Sequence, residues 1–129
     1  MKSPGPRRLL AAGGFLLAAG VLWSMTPLPA DGSGGKVIFE KRCTGCHGLD
    51  TDKAGPRLRG VFGRKAASVA SFQYSEALRK SGITWDAGSL DRWLADPDAF
   101  VKDTDMAFRV VSEQERSAII RYLKELPAQ

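Results

Sequence analysis

The sequence predicts an all-α domain of short helices and long loops, wrapped around an apolar centre that its own side chains do not supply. Three observations carry this. Apolar residues recur at helical spacing near 37–39, 90–94 and 119–126. No run shows the sustained alternation of a strand, and there is no internal repeat. Residues 48–72 are rich in Gly and basic residues without periodicity, and a loop of that length belongs in a compact domain only if it has a function of its own.

At 129 residues the chain is one small domain with appendages. Lys2, Arg7 and Arg8 precede an apolar run from Leu9 to Trp23, and Thr26-Pro27-Leu28-Pro29-Ala30 follows. Residues 1–30 therefore read as a secretory signal or an N-terminal anchor. The run is short for a span of roughly 20 apolar residues, while Leu28 fits poorly to a small-x-small cleavage site before Ala30. A cleaved leader and a membrane tether through Leu9–Met25 both stay open. In either case the basic end stays cytoplasmic and the rest is exported, which in a bacterium means the periplasm. Residues 31–35, Asp-Gly-Ser-Gly-Gly, read as a linker, and 36–129 as the domain.

Within the domain, Val37, Ile38 and Phe39 open a helix that runs into a cysteine-containing turn. Gly55-Pro56 and Gly60 to Gly63 punctuate the long loop. Tyr74–Lys80 reads as a short helix stopped at Gly82. Ser89 is expected to cap a helix with Leu90, Trp93 and Leu94 on one face, ended by Pro97. Phe100–Val110 reads as irregular. Ser112-Glu113-Gln114-Glu115 has the form of a capping box. The helix that it starts carries Ile119, Ile120, Tyr122, Leu123 and Leu126, and ends before Pro127.

The turn after the first helix is Cys43-Thr44-Gly45-Cys46-His47, which contains the only two cysteines and the only histidine of the chain. Cys-x-x-Cys-His is the attachment signature of a c-type haem. Thiols three residues apart share a helical face and can add to two vinyl groups on one porphyrin edge, and the adjacent imidazole can ligate the iron. The alternatives are weaker. A disulfide would close a small, strained loop, a thioredoxin-like pair needs a βαβ context, and a zinc site lacks a fourth ligand. The reading is one haem c, covalent through Cys43 and Cys46. A large apolar cofactor also supplies the core that a small chain lacks.

The sixth iron position decides function. Met1 and Met25 belong to the leader, which leaves Met106 on the irregular segment Asp103-Thr104-Asp105-Met106-Ala107-Phe108. Loops carry ligands, and His47/Met106 ligation saturates the iron and favours electron transfer over oxygen chemistry. A merely core-filling Met106, or ligation by Lys102, is the lesser reading. Charge excludes another class. Three of the 19 basic residues precede the first acid, Asp31, so the remainder sets 16 basic against 14 acidic residues with no basic stripe. No nucleic acid is expected as partner.

The stretch from Gly35 to Leu126 resembles the class I cytochromes c, in particular the mitochondrial-like branch with its bacterial relatives. Gly35 and Phe39 match the N-terminal helix of that family, which crosses the C-terminal helix carrying Tyr122 and Leu123. Gly55-Pro56-Arg57-Leu58 matches its Gly-Pro-x-Leu loop. The resemblance implies that the Pro56 carbonyl accepts a hydrogen bond from His47 Nδ1 and makes the ligand more electron-rich. Phe62-Gly63-Arg64, Tyr74-Ser75 and Ile83-Thr84-Trp85 match segments that bury the haem propionates, with Arg64, Tyr74 and Trp85 as the implied donors. Thr104 is kept beside Met106. The resemblance thus implies the cytochrome c fold and a monomeric electron carrier with no catalytic residue. Its redox partners would be proteins such as a quinol–cytochrome c reductase and a terminal oxidase.

Three departures from the family pattern have consequences. Val101-Lys102-Asp103-Thr104-Asp105 stands where the family usually has Pro-Gly-Thr-Lys before the methionine. A loop without its proline is freer when unfolded, which predicts a more labile methionine–iron bond. Trp93 takes a place often held by a tyrosine that bonds the methionine sulfur, and Leu78 one often held by an asparagine, so a drier distal side is expected. Arg57, Arg59, Arg64, Lys65, Lys41 and Arg42 make one flank basic, whereas Asp103 and Asp105 make the other acidic, and such a rim steers docking weakly. The alternative function, a haem peroxidase or gas-binding sensor with an open sixth position, wants a distal base, and the chain has no second histidine.

Overall fold

The computed structural model describes residues 32–128, with Met1 and Gly5. The leader or anchor expected over 1–30, including Leu9–Met25, lies outside the described residues. The described residues form five helices in order: α1 (Gly32–Arg42), α2 (Glu76–Lys80), α3 (Ala87–Ala95), α4 (Pro97–Phe100) and α5 (Glu113–Lys124). Among the described residues there is no strand, only an isolated antiparallel bridge between Lys65 and Thr84. No described helix is long and apolar enough to cross a membrane.

The crossing of α1 over α5 anchors the fold. The linker reading of 31–35 is corrected here, because α1 already begins at Gly32. The reason is packing. A Cβ on Gly35 would lie 2.3 Å from the Ala118 carbonyl oxygen and 2.8 Å from Tyr122 Cβ, so the bare backbone is what lets the helices touch. One turn on, Phe39 and Tyr122 meet with ring centroids 5.3 Å apart. Phe39 and Ile119 are fully buried at this crossing. The capping box of α5 forms only by half: Ser112 Oγ accepts from Glu115 N at 3.2 Å. The Glu115 carboxylate instead takes two hydrogen bonds from Arg42, at 3.0 and 3.1 Å, which tie the end of α1 to the start of α5.

The cap of α3 is Asp86 rather than Ser89. Asp86 accepts from Ser89 N at 2.7 Å, and Ser89 Oγ returns the bond from Asp86 N at 2.8 Å, so Ser89 is the inner half of a reciprocal cap. Pro97, expected only to end this helix, also begins α4, which reaches Phe100, the first residue of the stretch read as irregular. Asp96 accepts from Ala99 N at 3.1 Å, and the fixed φ of proline suits a first helical position. Ser75 caps α2, and Gly82 turns the chain beyond it with φ +65°.

The long loop is held at several points. Gly63 N and Ala66 N donate to the carbonyls of Trp85 and Ile83, and Trp85 N donates to Arg64 O. Gly60 N donates to Leu126 O at 2.9 Å, which fastens the loop to the end of α5. The Arg116 guanidinium, nearly buried, bonds Asp91 on α3 and the carbonyls of Val110 and Val111. These ties leave a space at the centre instead of closing over it.

Candidate cofactor-binding site

The turn after α1 continues the helix hydrogen bonds: Cys43 N to Phe39 O at 2.8 Å, and His47 N to Cys43 O at 2.8 Å. That geometry brings Cys43, Cys46 and His47 to one cavity of about 460 Å³. The two cysteines are not joined to each other in a disulfide. Burial, with Cys46 adding to it, pushes the Cys43 thiol up to about 11. His47 Nδ1 lies 2.7 Å from the Pro56 carbonyl oxygen. A carbonyl can only accept, so Nδ1 carries the proton and the Nε2 lone pair is left for a ligand. Burial lowers the pKa of His47 and the Pro56 bond opposes it. Gly55 is shaped by this ring, since a Cβ there would sit 2.3 Å from His47 Cε1.

The remaining residues singled out in the sequence line the same cavity: Pro56, Arg64, Tyr74, Trp85, Trp93, Thr104 and Met106. Trp93 Nε1 donates to the Met106 sulfur at 3.1 Å. The Trp93 indole stands edge-on to that of Trp85, with centroids 5.3 Å apart, and both are buried. Leu78 is buried on the same wall. Arg64 also serves the loop itself, donating to the carbonyls of Arg57 at 2.9 Å and Arg59 at 3.1 Å. Burial lowers its pKa, and the guanidinium stays charged. The Tyr74 hydroxyl accepts a long bond from Val69 N, 3.4 Å.

The donor set fits a flat, largely apolar macrocycle with a metal at its centre. The walls are mostly aliphatic and aromatic, while a thiol pair, an imidazole held as its Nδ1–H tautomer and a soft thioether all reach the space between them. Among the described residues no group of three or more His, Cys, Asp and Glu side chains could hold a metal ion.

Sequence reasoning missed two features of the site. Asp52 accepts from Arg57 N at 2.8 Å and ties Arg57 to Ser71, so it fixes the residue next to Pro56. No sequence signal marks that bond, which spans irregular loop. Phe108 lines the cavity although half of its surface is exposed. Its place two residues after Met106 was the available signal. The basic flank is also weaker than composition suggests. Arg42, Arg57 and Arg59 are paired with Glu115, Asp52 and Asp50, so part of the positive rim is neutralised in place.

Residues 33–127 match the family model described as Cytochrome c. The chain is 38% identical over 126 residues to cytochrome c2 of Blastochloris viridis, covering 94% of this chain and 95% of that protein. It is 36% identical over 102 residues to cytochrome c of Arabidopsis thaliana, covering 76% and 91%. Among solved structures it is similar to cytochrome cH from Methylobacterium extorquens, with a TM-score of 0.69 and 39% identity over 74% of this chain and 98% of that one.

Proposed function

The chain belongs to the cytochrome c family, and we propose that its domain shuttles single electrons with His47 and Met106 as the two protein ligands of its haem. It is an electron carrier whose haem c is attached through Cys43 and Cys46. When bound, the haem supplies a one-electron couple, and the protein sets where that couple sits and what can reach it.

The observation that carries the proposal is the pair of hydrogen bonds on the two ligand side chains. His47 donates through Nδ1 to Pro56 O, and Met106 accepts at sulfur from Trp93 Nε1. Each bond orients its ligand, and each tunes it in the opposite sense. The first makes the imidazole a stronger donor, and the second withdraws density from the sulfur. Arg64, Tyr74 and Trp85 are proposed to hold the propionate end, with Thr104 supporting the methionine loop. Met106 fills the position that an enzyme would leave open, so no catalytic residue is assigned.

The partners proposed are an exported or membrane-bound reductase and an oxidase, such as a quinol–cytochrome c reductase and a terminal oxidase, with the carrier a monomer. The basic n-region and apolar run of residues 1–30 support a periplasmic site, reached by a cleaved leader or held by a retained anchor. The test of the ligands is spectroscopic. The reduced holoprotein should show Met106 methyl protons strongly shielded by the macrocycle, and neither carbon monoxide nor peroxide should bind rapidly. Rapid binding to the resting protein overturns the carrier reading. N-terminal sequencing of the exported form separates leader from anchor.

A further inference from the structure

The hydrogen bond that holds His47 does not end at Pro56. The Pro56 carbonyl and the Arg57 N–H belong to one planar peptide group. At its oxygen end this group accepts from His47 Nδ1 at 2.7 Å, and at its nitrogen end it donates to Asp52 Oδ1 at 2.8 Å. We propose that Asp52 is a positioning residue for the axial histidine, acting through the Pro56–Arg57 peptide to make the His47 ring a stronger ligand. The inference rests on the axial role proposed above for His47.

The argument is one of polarisation. A carboxylate on a peptide N–H shifts electron density along the amide toward its oxygen, and chained hydrogen bonds strengthen one another in a low-dielectric setting. The Pro56 oxygen is thereby a better acceptor, and the Nδ1–H that it holds is drawn further toward it. That gives the imidazole more anionic character, which favours the oxidised metal.

The surroundings of Asp52 keep it charged and in place. Its second oxygen is bonded by Ser71 Oγ, and the Arg57 guanidinium lies 3.6 Å away and itself donates to Ser71 Oγ. Arg64 adds a further positive charge nearby. Arg64 in turn donates to the Arg57 carbonyl at 2.9 Å, so both flanking peptides of Arg57 are fixed. No other described carboxylate bonds this peptide. Asp50, two residues earlier, is spent on Arg59.

The test compares Asp52→Asn with Asp50→Asn and Ser71→Ala in the full-length holoprotein. Asp52→Asn should shift the one-electron equilibrium toward the reduced form by about three- to tenfold, tenfold being about 59 mV for one electron. In the reduced, diamagnetic protein it should also move the His47 Nδ1–H proton resonance upfield. Asp50→Asn removes an equal charge without touching the relay and should leave that resonance in place. Ser71→Ala loosens Asp52 but leaves the carboxylate on Arg57 N, and should move the resonance in the same direction by less. If Asp52→Asn does not accumulate, acid titration of the reduced wild type reads the same link. The Arg57 amide and His47 Nδ1–H should then move together with one midpoint, that of a carboxyl facing Arg57, Arg64 and Ser71. Equal shifts in all three variants, or an unmoved Nδ1–H, overturns the relay. Absence of shielded His47 ring protons in the wild type overturns the axial reading on which it rests.

Discussion

The indole N–H of Trp93 points at the sulfur of Met106 across 3.1 Å, in a buried aromatic pair with Trp85. With Met106 as the proposed axial ligand, this bond would make the thioether a poorer donor to an oxidised metal. Trp93→Phe removes the donor and keeps most of the ring, releasing a bond worth about 0.5–1.5 kcal/mol. The expected outcome is a lower reduction potential and a sulfur–iron(III) charge-transfer band that survives to higher pH. Spectroelectrochemistry decides it, and an unchanged or raised potential counts against the account.

The loop before the methionine carries a strained residue. Asp103 has φ +64°, in the left-handed region where a side chain costs energy and glycine does not. Its amide is meanwhile bonded by Asp98 Oδ1 at 3.0 Å, so the turn is held from its neighbour. Asp103→Gly should relieve the strain at some loss of unfolded-state restriction, for a net gain of about 0.5–1 kcal/mol. A higher thermal midpoint and a more persistent charge-transfer band under mildly alkaline conditions are expected. If the midpoint falls, the lability ascribed to this loop has another origin.

Gly55 offers the opposite case. An added Cβ would lie 2.3 Å from His47 Cε1 and 2.7 Å from both ring nitrogens. The ring cannot yield without breaking its bond to Pro56. Gly55→Ala should therefore cost about 1–3 kcal/mol by overpacking and lower the yield of covalently attached holoprotein, measured by haem staining against total protein. Wild-type yield and spectrum would show that the ring has room.

The all-α fold and the haem attachment motif were legible in the sequence because each rests on local chemistry. The spacing of Cys43, Cys46 and His47, the apolar stripe of α5 and the Ser112 cap need no distant partner to be read. What was not legible depends on residues far apart in sequence. The start of α1 at Gly32 follows from Gly35 lying on Ala118. Glu115 leaves its capping box because Arg42 arrives from α1. The cap of α3 is the local exception: Asp86 and Ser89 bond each other's backbone amide, and only the reciprocal pair shows which of them is outermost. The pairing of Asp52 with the Arg57 amide joins irregular segments that have no period to read.

Acid stability follows from three aspartates. Hydrogen bonds from Arg59, Ser71 and the Ser89 backbone amide are the leading causes that hold Asp50, Asp52 and Asp86 below the ordinary aspartate value of 3.8. Unfolded, each titrates at that ordinary value, so as pH falls the unfolded chain takes up protons first and stability drops. The stabilisation is fully present above the ordinary aspartate range and is lost as pH falls through the lowered folded values. The thermal midpoint of the holoprotein should be flat from neutrality to about pH 5 and should decline below about pH 4. Because hydrogen bonding leads Coulomb attraction in each case, high salt should shift this decline little. Asp86→Asn, away from the cofactor cavity, should flatten the decline and lower the plateau. A decline that salt abolishes would instead assign the acid response to exposed ion pairs such as Lys80–Glu76.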